Sequence, residues 1–385
     1  MDDVKADSGM SPIIGAILLM GLFFILVTVI QLSAVPTWNE DLEFDHSQEI
    51  QSDILQLSSS VNSVAAIGSP RTVTLDLGVR YPNRLVLINP PPATGSLRST
   101  EGFINISNAK SRDPQTEDYW NGSRKSFENV NVTYIPDYNY YSNAPQTSYD
   151  NGLVYNYRPN QDGNSNATLN EQSMVNGKDL FLVAVNGSIS TSKVGSEGVT
   201  LKPMSTSEYA VALTNESNQN ITLSIDTRLT DKNWTKALND VNHVHDVTSG
   251  NGDTVNVTLK GNNTYNLRMA EVGLDKSGSP NPHYITNIAG NRTNVSQNRN
   301  TDLTAQVRDR FNNPVSGVEV NATVVDGKGT FSDSDSNKTT GSSGKVTFTY
   351  EAPSGKEKSV IEMKYESPPQ SERENTTFVV NVEPP

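Results

Sequence analysis

The chain has no cysteine in 385 residues, so neither a disulfide framework nor a thiolate metal site is available to it. That composition suits a prokaryotic surface protein better than a secreted eukaryotic one. Histidine is almost as scarce, with only His46, His243, His245 and His283. His243 and His245 would share one face of a strand, but nothing nearby completes a ligand set, and the pair reads as a strand edge rather than a metal site. Positive charge is also short: 30 Lys and Arg stand against 43 Asp and Glu, a net charge of -13. This balance argues against nucleic acid and anionic lipid headgroups as partners, since both need clustered Lys and Arg. Neutral, glycan-like or cationic partners fit better.

Catalytic signatures are missing as well. No His-Glu-x-x-His, Gly-x-Ser-x-Gly or phosphate-loop pattern occurs, and "TTGSSGKV" lacks both the first glycine and the Ser or Thr after Lys345. "DSDSN" at 333–337 lacks the glycine and the distal glutamate of a calcium loop. The expectation is a protein that is not an enzyme, with no cofactor and no metal. A cell-surface hydrolase is the remote alternative, and it would require a pocket lined by paired carboxylates or by the two neighbouring histidines.

What the sequence does have is one concentrated apolar run. No charge occurs from Met10 to Trp38. As a helix, the stretch from Ile13 to Val35 would extend about 34 Å, enough to cross a hydrocarbon core. A removable secretory signal has an apolar core of only about 7 to 15 residues and a small-residue cleavage site, and "VPTWNEDLEF" supplies none. Residues 10–38 are therefore read as a retained hydrophobic helix, with Trp38 at the aromatic belt. Gly15 and Gly21 are the candidate positions for close helix packing.

The residues around the start of this run carry a resemblance. "MDDVKADSG" is short and polar and ends in Gly9, and "SPIIGAILL" is similar to the Ser-Pro-(Val/Ile)-Ile-Gly opening of haloarchaeal pilins. The arrangement resembles the class III signal of archaeal type IV pilins. The resemblance implies a leader, 1–9, cut between Gly9 and Met10 by a prepilin peptidase-like enzyme. It also implies a helix kept in the membrane or a filament core, with other pilin-like subunits as partners. An ordinary anchor that is never cut or assembled is the alternative.

Residues 39–68 form an amphipathic stalk helix. Ile50, Ile54, Leu57, Val61 and Val64 recur at spacings of four and three, and Gly68 and Pro70 end the pattern. A helix laid on a β-sheet is expected rather than a coiled-coil seam. From 69 to 283 the period changes to two, in "RTVTLDLGVRY", "NVNVTYI", "DLFLVAV", "EYAVALT", "NITLSIDT", "TVNVTLKG" and "YNLRMAEV". Such runs, separated by Asn, Gly and Asp clusters, predict an antiparallel β-sandwich-like domain. "RLVLI" reads as one more short buried strand, and "TDKNWTKALNDV" as a single short helix. The Tyr- and Asn-rich stretch between about 108 and 176 reads as long polar loops, with a glycan-contacting surface as the sharper idea.

Residues 284–385 alternate through about seven strands in about 100 residues, the pattern of an immunoglobulin-like β-sandwich. Asp309, Asn313, Pro314, Val315, Gly317 and Val318, followed by Thr339, Thr340, Gly344 and Lys345, resemble the signature of the bacterial Ig-like domains of intimin and invasin. That resemblance implies an extracellular spacer or adhesive module, with these residues serving turns rather than catalysis.

Sequons lie at Asn105, Asn121, Asn131, Asn166, Asn186, Asn215, Asn220, Asn233, Asn256, Asn262, Asn291, Asn294, Asn321, Asn337 and Asn375, none of them before the β-domain. These are the glycosylation candidates. The fold expected is mainly β: a transmembrane or pilin-like helix, then two sandwiches. The function expected is that of a single-pass, pilin-like surface glycoprotein with a cytoplasmic N-terminus. Its extracellular body would be structural or adhesive, in a filament or as a stand-alone tethered adhesin, meeting surface glycans or proteins and no nucleic acid.

Overall fold

One helix carries the chain from the apolar run into the folded body. The computed structural model describes residues 12–158, 166–216, 219–332, 336–366 and 373–385. The helix runs as Pro12–Val29, a π-helical turn Ile30–Ala34, and Val35–Ile67. The wide turn has a local cause. Pro36 brings no N–H and its ring crowds the preceding turn, and the backbone accommodates this by letting Val35 N–H reach back five residues to Ile30 O. At the far end Gly68 takes φ 74°, and its N–H caps Val64 O at 2.9 Å.

The second half of the helix is built into the β-body. Ile50, Ile54, Leu57, Val61 and Val64 are buried against strands of two sheets, so the stripe lies on a β-surface as expected. The first sheet has seven strands, ordered Arg71–Asp76, Ser196–Ser205, Tyr265–Leu274, Val211–Asn215 and Ala109–Ser111, with Asp179–Gly187 and Val175–Asn176 attached. The second has nine and is organised around a long hairpin in which Thr94–Ser107 pairs with Lys125–Asp137 without a register shift. Between the sheets one core surrounds the helix. A second gathers Trp120, Trp234, Leu238, Tyr265 and Met269. Trp234 enters it from the predicted short helix, Asp231–Ala237, whose Thr230 and Asn233 form a reciprocal N-terminal cap.

Two expectations are corrected here. "RLVLI" is not a strand: beyond the Val79–Ala93 bridge the chain leaves the sheet, and Pro90 to Pro92 offer no N–H for a ladder. The Tyr-rich stretch is not mainly loop. Tyr134, Tyr149 and Tyr155 are buried on the strands Lys125–Asp137, Gln146–Asp150 and Leu153–Tyr157, so their rings fill the core instead of facing a glycan. Strand pairing is antiparallel, as expected, except that Asp179–Gly187 runs parallel to Tyr265–Leu274 and Thr293–Ser296 runs parallel to Asn375–Glu383.

From Tyr284 onward a four-stranded and a five-stranded sheet enclose Leu303, Val307, Phe348, Tyr350, Ile361 and Phe378, giving an immunoglobulin-like sandwich. The motif residues do build its turns. Thr340 Oγ1 donates to Val315 O and accepts from Val318 N–H, at 2.8 and 3.0 Å. Gly344 has φ 66°, and a Cβ there would lie 2.6 Å from Val307 O.

Candidate functional site

The apolar end is assembled from the helix upward. Around the whole circumference of its first half the large apolar side chains lie open: exposure runs from 39 % at Ile30 to 75 % at Leu32. Among the described residues this is the one helix long and apolar enough to cross a membrane. The few hydroxyls in it are satisfied internally, with Thr28 donating to Phe24 O and Ser33 to Val29 O, each at 2.7 Å. A Cβ at Gly15 or Gly21 would find open space, so both positions are available to an approaching helix. Gly9 and Met10 lie outside the described residues.

Where the helix meets the body, its buried stripe turns polar without changing phase. Asn39, Glu43, His46 and Ser47 continue the row of Ile50 and Ile54. Glu43 is fully buried. One carboxylate oxygen accepts from Asn139 N–H at 2.8 Å and from the Tyr81 hydroxyl, while the other accepts from Tyr140 N–H at 2.8 Å and Tyr141 N–H at 2.6 Å. Burial, and then the Glu43 hydrogen bond, push the Tyr81 hydroxyl well above its ordinary value, so it remains a donor.

His46 completes the clamp. Its Nε2 lies 2.9 Å from Asp76 O, which can only accept, so Nε2 carries the proton and Nδ1 accepts from Tyr138 Oη at 2.6 Å. Burial lowers its pKa below 6.5, outweighing the hydrogen bond to Asp76 and the nearby carboxylates. The unfolded chain takes up this proton first as pH falls. His46 therefore supports the clamp above pH about 6.5 and weakens it progressively below.

A second junction joins the β-body to the C-terminal sandwich. Asp309 and Asn313 are both buried. Asn313 Nδ2 donates to Ser205 Oγ at 2.8 Å and to Met269 O at 2.9 Å, and Asn313 Oδ1 accepts from Glu208 N–H at 3.1 Å. Ser205 in turn donates to Asp309 Oδ2 at 2.5 Å. Tyr119 stacks on Tyr284 with centroids 4.6 Å apart, and Phe311 meets Phe127 at 5.3 Å. The turn residues of the Ig-like motif thus also lock two modules together.

The other candidates fall apart or scatter. His243 precedes the strand Val244–Ser249 with φ 72°, so it and His245 do not share a strand face, and no carboxylate–histidine cluster suited to a metal occurs among the described residues. Asn105 is fully buried between two strands, and Asn233 is buried in the helix cap. Neither offers a surface for a glycan in the folded chain. Asn121, Asn262, Asn291, Asn294, Asn321, Asn337 and Asn375 are exposed. Asn131, Asn166, Asn186, Asn215, Asn220 and Asn256 are half-buried.

No family model matches this chain. An uncharacterized protein of Archaeoglobus fulgidus is 25% identical over 330 residues, covering 82% of this chain and 54% of the relative. The chain thus spans about half the length of the curated relative it matches. Among solved structures, the D00-D0 domain of intimin has a TM-score of 0.25 at 14% identity, covering 48% of this chain and 96% of that one. The Yersinia pseudotuberculosis adhesin InvE has a TM-score of 0.23 at 14% identity, covering 48% and 54%. Domains 4 and 5 of the S-layer protein SbsC have a TM-score of 0.21 at 15% identity, covering 34% and 63%. At such scores the likenesses carry no functional argument. The Ig-like description rests on the sandwich itself.

Proposed function

We propose that the chain is a single-pass, membrane-anchored surface protein, with its N-terminus cytoplasmic and its two β-modules extracellular. Its role is structural or adhesive rather than enzymatic, and the exposed sequons carry glycans. One observation carries this reading: a single helix whose first half is apolar on all sides and unpartnered, and whose second half is a buried part of the β-body. An anchor merged in this way with its cargo transmits force directly, as a filament subunit or a tethered adhesin requires.

The pilin-like form of the proposal adds cleavage between Gly9 and Met10 and helix packing at Gly15 and Gly21. Mass spectrometry of the membrane-extracted chain is expected to find a mature N-terminus at Met10. Gly9→Leu should leave the leader attached, because the peptidase needs a small residue there. An intact Met1 in the unaltered chain would leave only a plain anchor. Gly21→Leu should reduce recovery in a sheared filament fraction while membrane content is kept, since the added side chain is apolar but prevents close approach. Normal filament yield in that variant would rule out Gly21 as a packing position. Recovering the C-terminal sandwich from the cytosol would sink the topology altogether.

A further inference from the structure

Residues 80–92 leave the sheet at the Val79–Ala93 bridge and travel along the helix toward its apolar half. The contacts come in order. Tyr81 bonds to Glu43, Arg84 donates to Asn39 Oδ1 at 3.0 Å, and Ile88 bonds to Gln31. Twelve helical residues separate the first contact from the last, a descent of about 18 Å. At the low end stand Leu85, Val86 and Ile88, exposed by 103%, 59% and 78%. Ile88, bonded to Gln31, stands at the level where the run Ile13–Ile30 ends, and Leu85 and Val86 lie three and two residues before it in the chain.

Side chains pair part of the backbone at this low point. Gln31 Nε2 donates to Ile88 O at 2.7 Å, and Gln31 Oε1 accepts from Ile88 N–H at 2.9 Å. Asn89 Nδ2 donates to Pro82 O at 2.7 Å, and the three following prolines have no N–H to satisfy. Pairing of this kind suits non-helical backbone at the edge of a low-dielectric layer. Above the tip, Arg84 lies 5.2 Å over the ring of Trp38, placing a cation and an indole where headgroups would be.

We propose that residues 80–92 form a wedge that enters the outer lipid interface beside the helix and fixes how deeply the protein sits. The occupant of the apolar tip is lipid, because the tip continues a helix that is apolar on every face rather than along one contact stripe. This inference rests on the anchoring reading above, and its test separates the two. The absence of native cysteine allows single nitroxide labels on the full chain in phosphatidylcholine nanodiscs, through Leu22→Cys, Leu85→Cys and Val325→Cys. The ratio of oxygen to nickel-chelate accessibility is expected to be severalfold higher at 22 and at 85 than at 325 in the distal sandwich. A lipid signature at 22 with an aqueous one at 85 overturns the wedge and leaves the anchor intact. Aqueous signatures at both overturn the wedge and the anchor together. A label at 85 closed to both reagents, with dipolar broadening that grows with protein-to-lipid ratio, overturns the wedge in favour of a second copy of the chain.

Discussion

Replacing Glu43 by alanine is expected to destabilise the β-body by about 3–5 kcal/mol, far more than an ordinary surface change in the same helix. The side chain is fully buried and its two oxygens take up four donors, three of which are backbone N–H groups of Asn139, Tyr140 and Tyr141 that have no other acceptor nearby. Alanine strips all four donors of this acceptor and opens a void where the buried carboxylate stood. Glutamine keeps the volume but turns an amide toward donors, so it should recover only part of the loss. Glu40→Ala, on the exposed face one turn away, should change stability by no more than about 0.5 kcal/mol. Denaturant unfolding measures the three values, and hydrogen exchange at residues 139–141 locates the damage. Equal midpoints for Glu43→Ala and the unaltered chain would mean that the clamp does not hold the helix to the body.

The way this clamp escaped a reading of the sequence shows what a pattern can carry. Ile50 to Val64 announce a buried stripe because apolar residues at spacings of three and four have one physical explanation. Asn39, Glu43 and His46 continue the same phase, yet polar residues at those positions read as solvated. What makes their burial tolerable lies elsewhere: Asn139 to Tyr141 are almost a hundred positions away. Chain-distant partners of this kind leave no local mark. "RLVLI" failed in the opposite direction, since an unbroken apolar run before prolines looks like an interior strand until the missing ladder is seen. Asn105 looked like a glycan acceptor because a sequon is local, whereas its burial is set by neighbours on two other strands. The C-terminal sandwich was the most legible part, because strand alternation and turn residues are both short-range signals. That its Asp309 turn would also bind Ser205 and Met269 was not legible, for the same reason as Glu43.

The second large effect is expected at that turn. Burial pushes the Asp309 carboxyl up to about 7, against the opposing pull of hydrogen bonds from Ser205 and from the N–H groups of Asn313 and Phe311. Its unfolded value is 3.8, so between roughly pH 4 and 7 the folded chain holds a proton that the unfolded chain has lost. This group's contribution to stability is therefore greatest at the acid end of the window and is lost as pH rises through 7. Asp309→Asn mimics the protonated form: Oδ1 can still accept from Phe311 and Asn313, while the new amide can donate to Ser205 Oγ. Relative to the unaltered chain, that variant should gain on the order of 2 kcal/mol in unfolding free energy between pH 5 and pH 8. Taking the difference between the two proteins cancels the other shifted groups, Asp53 and Asp150, both raised to about 6, Asp226, also raised, and His46. Asp309→Ala should behave differently, losing about 3–5 kcal/mol at either pH, because three buried donors are orphaned whatever the proton does. It should also free the C-terminal sandwich from the body, seen as a broadened distance distribution in small-angle scattering. Parallel stability curves for Asp309→Asn and the unaltered chain would show that the carboxyl stays charged throughout, with its three donors outweighing burial. A joint built that way would keep its strength from acid to neutral pH, with Asp309 holding the two modules together alongside Asn313, the Tyr119–Tyr284 stack and the Phe127–Phe311 contact.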